Sequence, residues 1–276
     1  MRNKKKFSSI INLIVLVVLG SISFFPIYMV VVNSFKSQDQ IFNSVLSLPT
    51  TFKFSNYTEA FAQINILQAL GNSLTVTFIG IIGIVLFGSM AGYKLARTPG
   101  KVSNIIFLFF MSSMLIPFHS IMITLTRMAN RIGVQGSTVG LGLIYIGLGV
   151  SMAIFLSSGF VKTIPKELEE AAKIDGATEI QTFIKIIFPL LSPILVTIGI
   201  LNLLWIWNDF LLPLLMLTNV NDYTIILSVN TLFGEYNNDW PRILAALVIT
   251  TIPLVITYIF LQKYILNGIA EGAVKG

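Results

Sequence analysis

Six long apolar runs leave this chain few folds to choose from. They cover Ile10–Val32, Leu74–Ala96, Ile105–Leu125, Val139–Phe160, Phe188–Leu217 and Ile243–Gln262. A helix needs about 20 apolar residues to cross the hydrocarbon core of a bilayer. Barrel strands would alternate over about ten residues, and no such alternation is present. Only 11% of the 276 residues are charged while 55% are hydrophobic. A soluble domain carries about a quarter charged residues, so this composition cannot cover a soluble surface. The expectation is an all-α polytopic membrane protein with six transmembrane helices, organised as one domain over residues 1–276. The fifth run holds Pro189, Pro193 and Pro213 and is too long for one straight span, so its ends are expected to bend.

The first run follows Met1-Arg2-Asn3-Lys4-Lys5-Lys6, a start like that of a signal peptide. Its apolar stretch is too long for a signal core, and no small-residue cleavage site follows it. It reads as a retained span. Six spans put both termini on one side. If that side is the cytoplasm, the inner bases are Arg2, Lys4, Lys5, Lys6, Lys94, Arg97, Lys101, Lys162, Lys166, Lys173, Lys185, Lys263 and Lys275. The outer bases are Lys36, Lys53, Arg127, Arg131 and Arg242. That asymmetry obeys the positive-inside rule. It also accounts for the net charge of +6 without any nucleic-acid partner.

Between the fourth and fifth runs lies a stretch that cannot stay in lipid, residues 162–189. It holds acids at Glu167, Glu169, Glu170, Asp175 and Glu179 and bases at Lys162, Lys166, Lys173 and Lys185. Each charge costs about 2.5–3.5 kcal/mol or more at the bilayer centre. The stretch has the grammar of two short helices. Pro165 suits a first helical position, with the acids near the positive end of the dipole. Gly176 suits a left-handed helix end. Thr178 and Gln181 match a capping box. Ala171, Ala172 and Ala177 are small enough to let another surface approach the backbone. A solvated amphipathic loop rich in helix formers would look similar.

The spacing of Glu170-Ala171-Ala172, Gly176, Ile186 and Pro189 resembles the EAA loop of ABC-importer permeases, with Phe188 where that family often has Leu. The likeness extends along most of the chain. Pro49, Phe54 and Asn56-Tyr57 resemble the outer segment of the carbohydrate-uptake permeases, as do Asn72-Ser73-Leu74, Gly92-Tyr93, Ala96-Arg97 and Ile116-Pro117. Trp207-Asn208-Asp209-Phe210, Gln262-Lys263-Tyr264 and the last residues Gly272–Gly276 are also similar. The chain therefore resembles the binding-protein-dependent, maltose-transporter-like sugar permeases.

That resemblance implies a fold and a set of partners. Residues 162–189 would form a coupling helix that inserts into a cytoplasmic ATPase, with Glu170, Ala171, Ala172, Asp175, Gly176, Ile186 and Pro189 as the coupling residues. The chain would form half of a pathway for a sugar or oligosaccharide in a bacterial cell membrane, with both termini cytoplasmic. Its partners would be a second permease, two ATPase subunits and an extracellular solute-binding protein. ATP would be bound by the ATPases, so no cofactor is expected here. Alternatives are a permease for a polyol or glycerol phosphate, and an ion-coupled secondary transporter.

The polar residues of the spans are open to two readings each. Asp209, with Trp207 and Asn208, either lines the pathway or ends a helix near the interface, with Trp205 and Trp207 as anchors. Asn202 is either a pore group or an interhelical hydrogen bond. His119, the single histidine, either lines the route or packs. Gly80, Gly83, Gly88 and Gly92 suggest close helix contact, with sliding against the third span as the functional variant. Asn56-Tyr57-Thr58 matches a glycosylation acceptor, a pattern frequent by chance. With no cysteine and one histidine, no convergent set for enzyme chemistry or for a metal exists. The segment 33–71, with Pro49 and aromatics Phe42, Phe52, Phe54, Tyr57 and Phe61, reads as an ordered outer cap.

Overall fold

The computed structural model describes residues 2–234 and 238–273, with side chains for residues 12–234, 238–260 and 262. Val274-Lys275-Gly276 and the side chains of Arg2–Lys6, Lys263 and Tyr264 lie outside the described residues. In chain order the α-helices are α1 (Arg2–Asn33), α2 (Gln38–Asn43), α3 (Ser55–Gln63), α4 (Ile66–Arg97), α5 (Lys101–Ser113), α6 (Phe118–Arg131) and α7 (Thr138–Val161). They continue with α8 (Glu167–Ile174), α9 (Glu179–Thr182), α10 (Phe188–Leu190), α11 (Ser192–Asn208), α12 (Leu211–Met216), α13 (Ile225–Asn230) and α14 (Trp240–Ala273). No strand occurs among the described residues. Among the described residues, four helical stretches are long and apolar enough to cross a membrane: Asn12–Asn33, Ile66–Arg97, Thr138–Val161 and Trp240–Phe260. Two bent pairs raise that to six if each crosses as one span.

Both bends sit at prolines. The run read as a third span is two helices, α5 and α6, turned by 101°. Pro117 precedes α6 with an extended ψ of 132°, and a proline disfavours helical backbone in the residue before it. The segments Glu179–Leu190 and Ser192–Asn208 meet at 74°, where Pro189 and Pro193 each lack an N–H. Pro189 also leaves its mark on the turn before it. A proline clashes with the carbonyl four residues earlier, and here the backbone widens into a π-turn over Phe183–Ile187.

The chain divides into two compact units. One comprises Leu67–Leu227 and Leu254–Gly276. Its centre is α7, which contacts α5 and α11 and buries Leu141, Tyr145, Ala153, Ile154 and Val161 among others. Glycines make this packing close. A side chain at Gly83 would collide with Ile146, and one at Gly88 with Ala153. A Cβ at Gly92 would lie 2.8 Å from the Ser157 side chain and 3.0 Å from the Ile154 carbonyl. Reciprocally, a Cβ on Gly142 of α7 would lie 2.9 Å from Ile79. The glycines of α4 therefore seat it against α7, the fourth apolar run, and not against the third. Without a hydrophobic drive between helices in lipid, such backbone approach and its van der Waals contact hold them together.

The other unit comprises Met1–Ile66 and Ser228–Pro253. Its 33–66 segment is ordered by a polar network. Asn56 is buried, and its amide donates to the Ser34 and Lys36 carbonyls at 2.8 and 2.9 Å. The hydroxyls of Ser34 and Tyr57 lie 2.6 Å apart. An asparagine whose amide is so committed has no place for a glycan, which removes the glycosylation reading. Phe35 packs against the rings of Phe52, Phe54 and Tyr57. Lys36 is fully buried and donates to the Ser44 carbonyl at 2.9 Å, and burial pushes its pKa below the usual lysine value. Gln38 bonds Asn238 and Trp240, and Arg242 pairs with Glu59 at 2.8 Å.

Candidate functional site

The polar stretch folds as the sequence grammar suggests, with one shift at its start. The turn opens at Lys166, whose carbonyl accepts from Glu169 and Glu170 at 2.9 and 3.1 Å. Pro165 lies one residue ahead of that cap, outside the first turn. Glu167, Glu169 and Glu170 occupy the first turn of α8, where the helix dipole favours negative charge. The helix ends in a Schellman arrangement. Gly176, at φ +81°, donates to the Lys173 carbonyl at 3.1 Å, and Ala177 donates to Ala172 at 2.9 Å. Thr178 then caps α9, accepting from the Gln181 N–H at 3.3 Å while the Gln181 side chain accepts from the Thr178 N–H at 2.9 Å.

Helical periodicity divides the Glu170-Ala171-Ala172 triplet. Glu170 and Ala171 are exposed, as are Asp175 and Gly176, while Ala172 is buried. Ile174 is 86% exposed and Ile180 is 70% exposed. Two large apolar side chains in solvent, beside small and acidic ones, make a surface suited to contact. Further on, Ile186 is half-buried and Pro189 is exposed.

The inward face of α8 holds a residue whose role the sequence did not announce. Glu169 is buried and accepts from Arg97 Nε at 2.6 Å and from the Tyr93 hydroxyl at 2.9 Å. Arg97 Nη2 also donates to the Ile164 carbonyl at 2.8 Å. A signal for this was present. Glu169 precedes Ala172 by three residues, so the two share a helix face, and Tyr93 and Arg97 share one on α4. The Tyr93 ring packs on Phe183 at 5.4 Å, and Phe183 on Phe188 at 5.8 Å. An exposed pair, Lys94 with Glu179 at 2.9 Å, adds a weaker tie. The Lys94 hydrogen bond and charge hold the Glu179 carboxyl below its usual range.

The span residues separate into two environments. Asp209 ends α11 with an extended ψ of 131°, and its carboxylate serves two helices. Oδ1 accepts from the Leu211 N–H at 3.0 Å, capping α12, and Oδ2 accepts from the Tyr145 hydroxyl of α7 at 2.8 Å. Pro213 explains the break, because it cannot donate to the Asp209 carbonyl and so sits in the first turn of a new helix. Trp205 packs edge-on against Tyr145 at 5.3 Å. Trp207 is buried, not placed as an interfacial anchor. Its Nε1 has no hydrogen-bond partner among the described residues. Asn202 is buried and donates to the Ile198 carbonyl at 2.8 Å. Its Oδ1 lies 2.9 Å from where a Cβ on Gly149 would stand. Asn202 thus packs on α7 and bonds within its own helix. Asn208 is exposed and donates to the Leu204 carbonyl at 2.7 Å. His119 is exposed at the start of α6, with its ring 6.0 Å from Phe118, and does not serve as a packed core histidine.

Residues 84–271 match a family described as binding-protein-dependent transport system inner membrane component. The chain is 39% identical over 259 residues to a probable starch degradation products transport permease of Thermoanaerobacterium thermosulfurigenes, covering 94% of each chain. It is 33% identical to the multiple sugar-binding transport permease MsmG of Streptococcus mutans over the full length of both. The melibiose/raffinose/stachyose import permease MelC of Bacillus subtilis is 34% identical, with 92% of each covered. In fold, the structure resembles a chain of a bacterial ABC transporter that imports the polysaccharide alginate. The TM-score is 0.83 with 20% identity, covering 95% of this chain and 97% of that one.

Proposed function

Since this chain belongs to the binding-protein-dependent inner membrane transport family, the permease components of ABC importers, we propose that its cargo is a sugar or oligosaccharide. The supporting observation is that full-length relatives at 33–39% identity carry sugar-transport names. A permease of this kind is not an enzyme. It provides a gated route through the membrane while other subunits supply the energy.

In the proposed mechanism residues 162–189 face the cytoplasm, as do both termini, in a bacterial cell membrane. Two ATPase subunits bind there, one on this chain and one on a second, related permease. Glu170, Ala171, Asp175 and Gly176, with exposed Ile174, form the contact surface of α8. Buried Ala172 and half-buried Ile186 support it from behind, and exposed Pro189 closes the coupling segment. A loaded solute-binding protein docks on the opposite face. ATP-driven closure of the ATPases draws the coupling helices together and opens the cavity outward, and hydrolysis resets it. Asn208 and Asp209 at the α11–α12 break, and exposed His119, are the residues we assign to the pathway wall, with buried Trp207 and Asn202 packed behind it.

Affinity purification of this chain from its native membrane, joined to uptake assays with a panel of labelled sugars, tests this function. Recovery of an ATPase and a second permease, with ATP-dependent uptake of a sugar, is the expected result. A chain recovered alone, with uptake that follows an ion gradient and ignores ATP, would overturn the coupling role. An intact complex that carries only a polyol or glycerol phosphate would overturn the sugar assignment alone.

A further inference from the structure

The exposed face of α8 can receive a push only if its buried face is anchored to something that moves with it. Helix α8 has eight residues, too few to be stable alone, so its position depends on what holds it. Its one buried charge is Glu169. The side chains of Glu169 and Arg97 are 10% and 11% exposed, so the pair is shielded from the screening that weakens surface pairs. Both carboxylate oxygens are engaged from one helix, Oε1 by Arg97 and Oε2 by Tyr93. These donors lie four residues apart, one turn of α4. A two-point grip restrains rotation as well as translation. Arg97 also holds the Ile164 carbonyl, so one guanidinium ties the end of α4 to both α8 and the segment leading into it.

Helix α4 is suited to carry a displacement. It runs 32 residues, and Gly88 and Gly92 bring it close to α7. Closely packed backbones shift together more readily than they slip past each other. We propose that Arg97, Tyr93 and Glu169 form a strut that converts movement of α8 into movement of α4, with Arg97 and Glu169 as positioning residues for transport. This role presupposes the coupling function proposed above. It differs from docking because none of the three belongs to the exposed surface of α8.

The test uses the complete transporter with its ATPases and loaded binding protein. Glu169→Gln and Arg97→Gln are compared with wild type for three quantities: ATPase recovered with the permease, basal ATP hydrolysis, and stimulation of hydrolysis by the loaded binding protein. Expected are full ATPase recovery, retained basal hydrolysis, and stimulation and uptake reduced about tenfold, a size typical of coupling between distant sites. Tyr93→Phe, which removes one hydroxyl, should give a smaller loss of the same kind. Unchanged stimulation in the assembled Gln variants would overturn the strut, and so would a loss of basal hydrolysis in proportion to uptake. If the Gln variants fail to assemble, Tyr93→Phe decides, and wild-type stimulation there would overturn it. A wild-type chain that recovers no ATPase would refute the coupling function itself, a result separable from all of these.

Discussion

Tyr145 donates its hydroxyl to the Asp209 carboxylate at 2.8 Å, joining the N-terminal third of α7 to the point where α11 ends and α12 begins. One carboxylate thereby caps a helix and satisfies a fully buried phenol. Asp209→Ala should lose both bonds. Loss of the cap alone costs about 1 kcal/mol, and the stranded hydroxyl about 1–3 kcal/mol more. Asp209→Asn should cost less, since an amide oxygen still accepts one of the two donors. Thermal unfolding of the purified protein checks the order. If uptake per folded molecule stays at the wild-type value in Asp209→Asn for every sugar tried, Asp209 shapes the helix break and does not meet cargo.

Gly176 is at φ +81° with nothing within 4 Å of an added Cβ, so a substitution there is penalised by backbone alone. Gly176→Val should cost about 1–2 kcal/mol and disturb the turn between α8 and α9. Gly176→Asn should be milder, since Asn tolerates the left-handed region. Uptake measured against the amount of folded protein checks this. Full ATP-driven uptake in Gly176→Val would remove the turn from the coupling mechanism.

Glu170 is exposed on α8. Glu170→Lys should cost the isolated permease only about 0.5–1 kcal/mol, through an unfavourable charge at the helix start, and yet weaken its association with the ATPase. Co-purification at wild-type yield would show that Glu170 has no part in docking.

The α4–α7 seam makes a finer prediction. A Cβ on Gly83 would meet Cδ1 and Cγ1 of Ile146, of which Cδ1 can swing away while Cγ1 is held by the stiff χ1 of a β-branched residue, whereas one on Gly88 would meet Ala153, including its backbone. Gly88→Ala should therefore destabilise by about 1–3 kcal/mol and Gly83→Ala by clearly less. Combining Gly88→Ala with Ala153→Gly should recover part of the loss. Equal melting temperatures for the two single variants would contradict this packing.

Much of the local structure could be read from residue types because its causes are local. Gly176 and the Thr178–Gln181 pair act within a few residues, so their turn and cap were foreseeable, and prolines marked where the long runs bend. The same local logic placed Pro165 two positions too far into α8, since a proline ahead of the cap and one at the first helical position satisfy the same constraint. The buried role of Glu169 was less visible beside Glu170 and Glu167, since three neighbouring acids look alike until a partner is placed against one of them.

By itself the sequence determined an all-helical membrane protein, because only helices of apolar residues satisfy their backbone in lipid at this length. It also determined the turn-and-cap pattern of 166–181 and, through its relatives, the family. Tertiary structure alone decided which helix the α4 glycines touch, that Asp209 is bonded to Tyr145, and that Arg97 and Tyr93 grip Glu169. Those pairings join residues 64 to 76 positions apart. Hydrogen bonds and steric fit act over a few ångströms in space, and no local pattern of residue types encodes which distant side chain will arrive there.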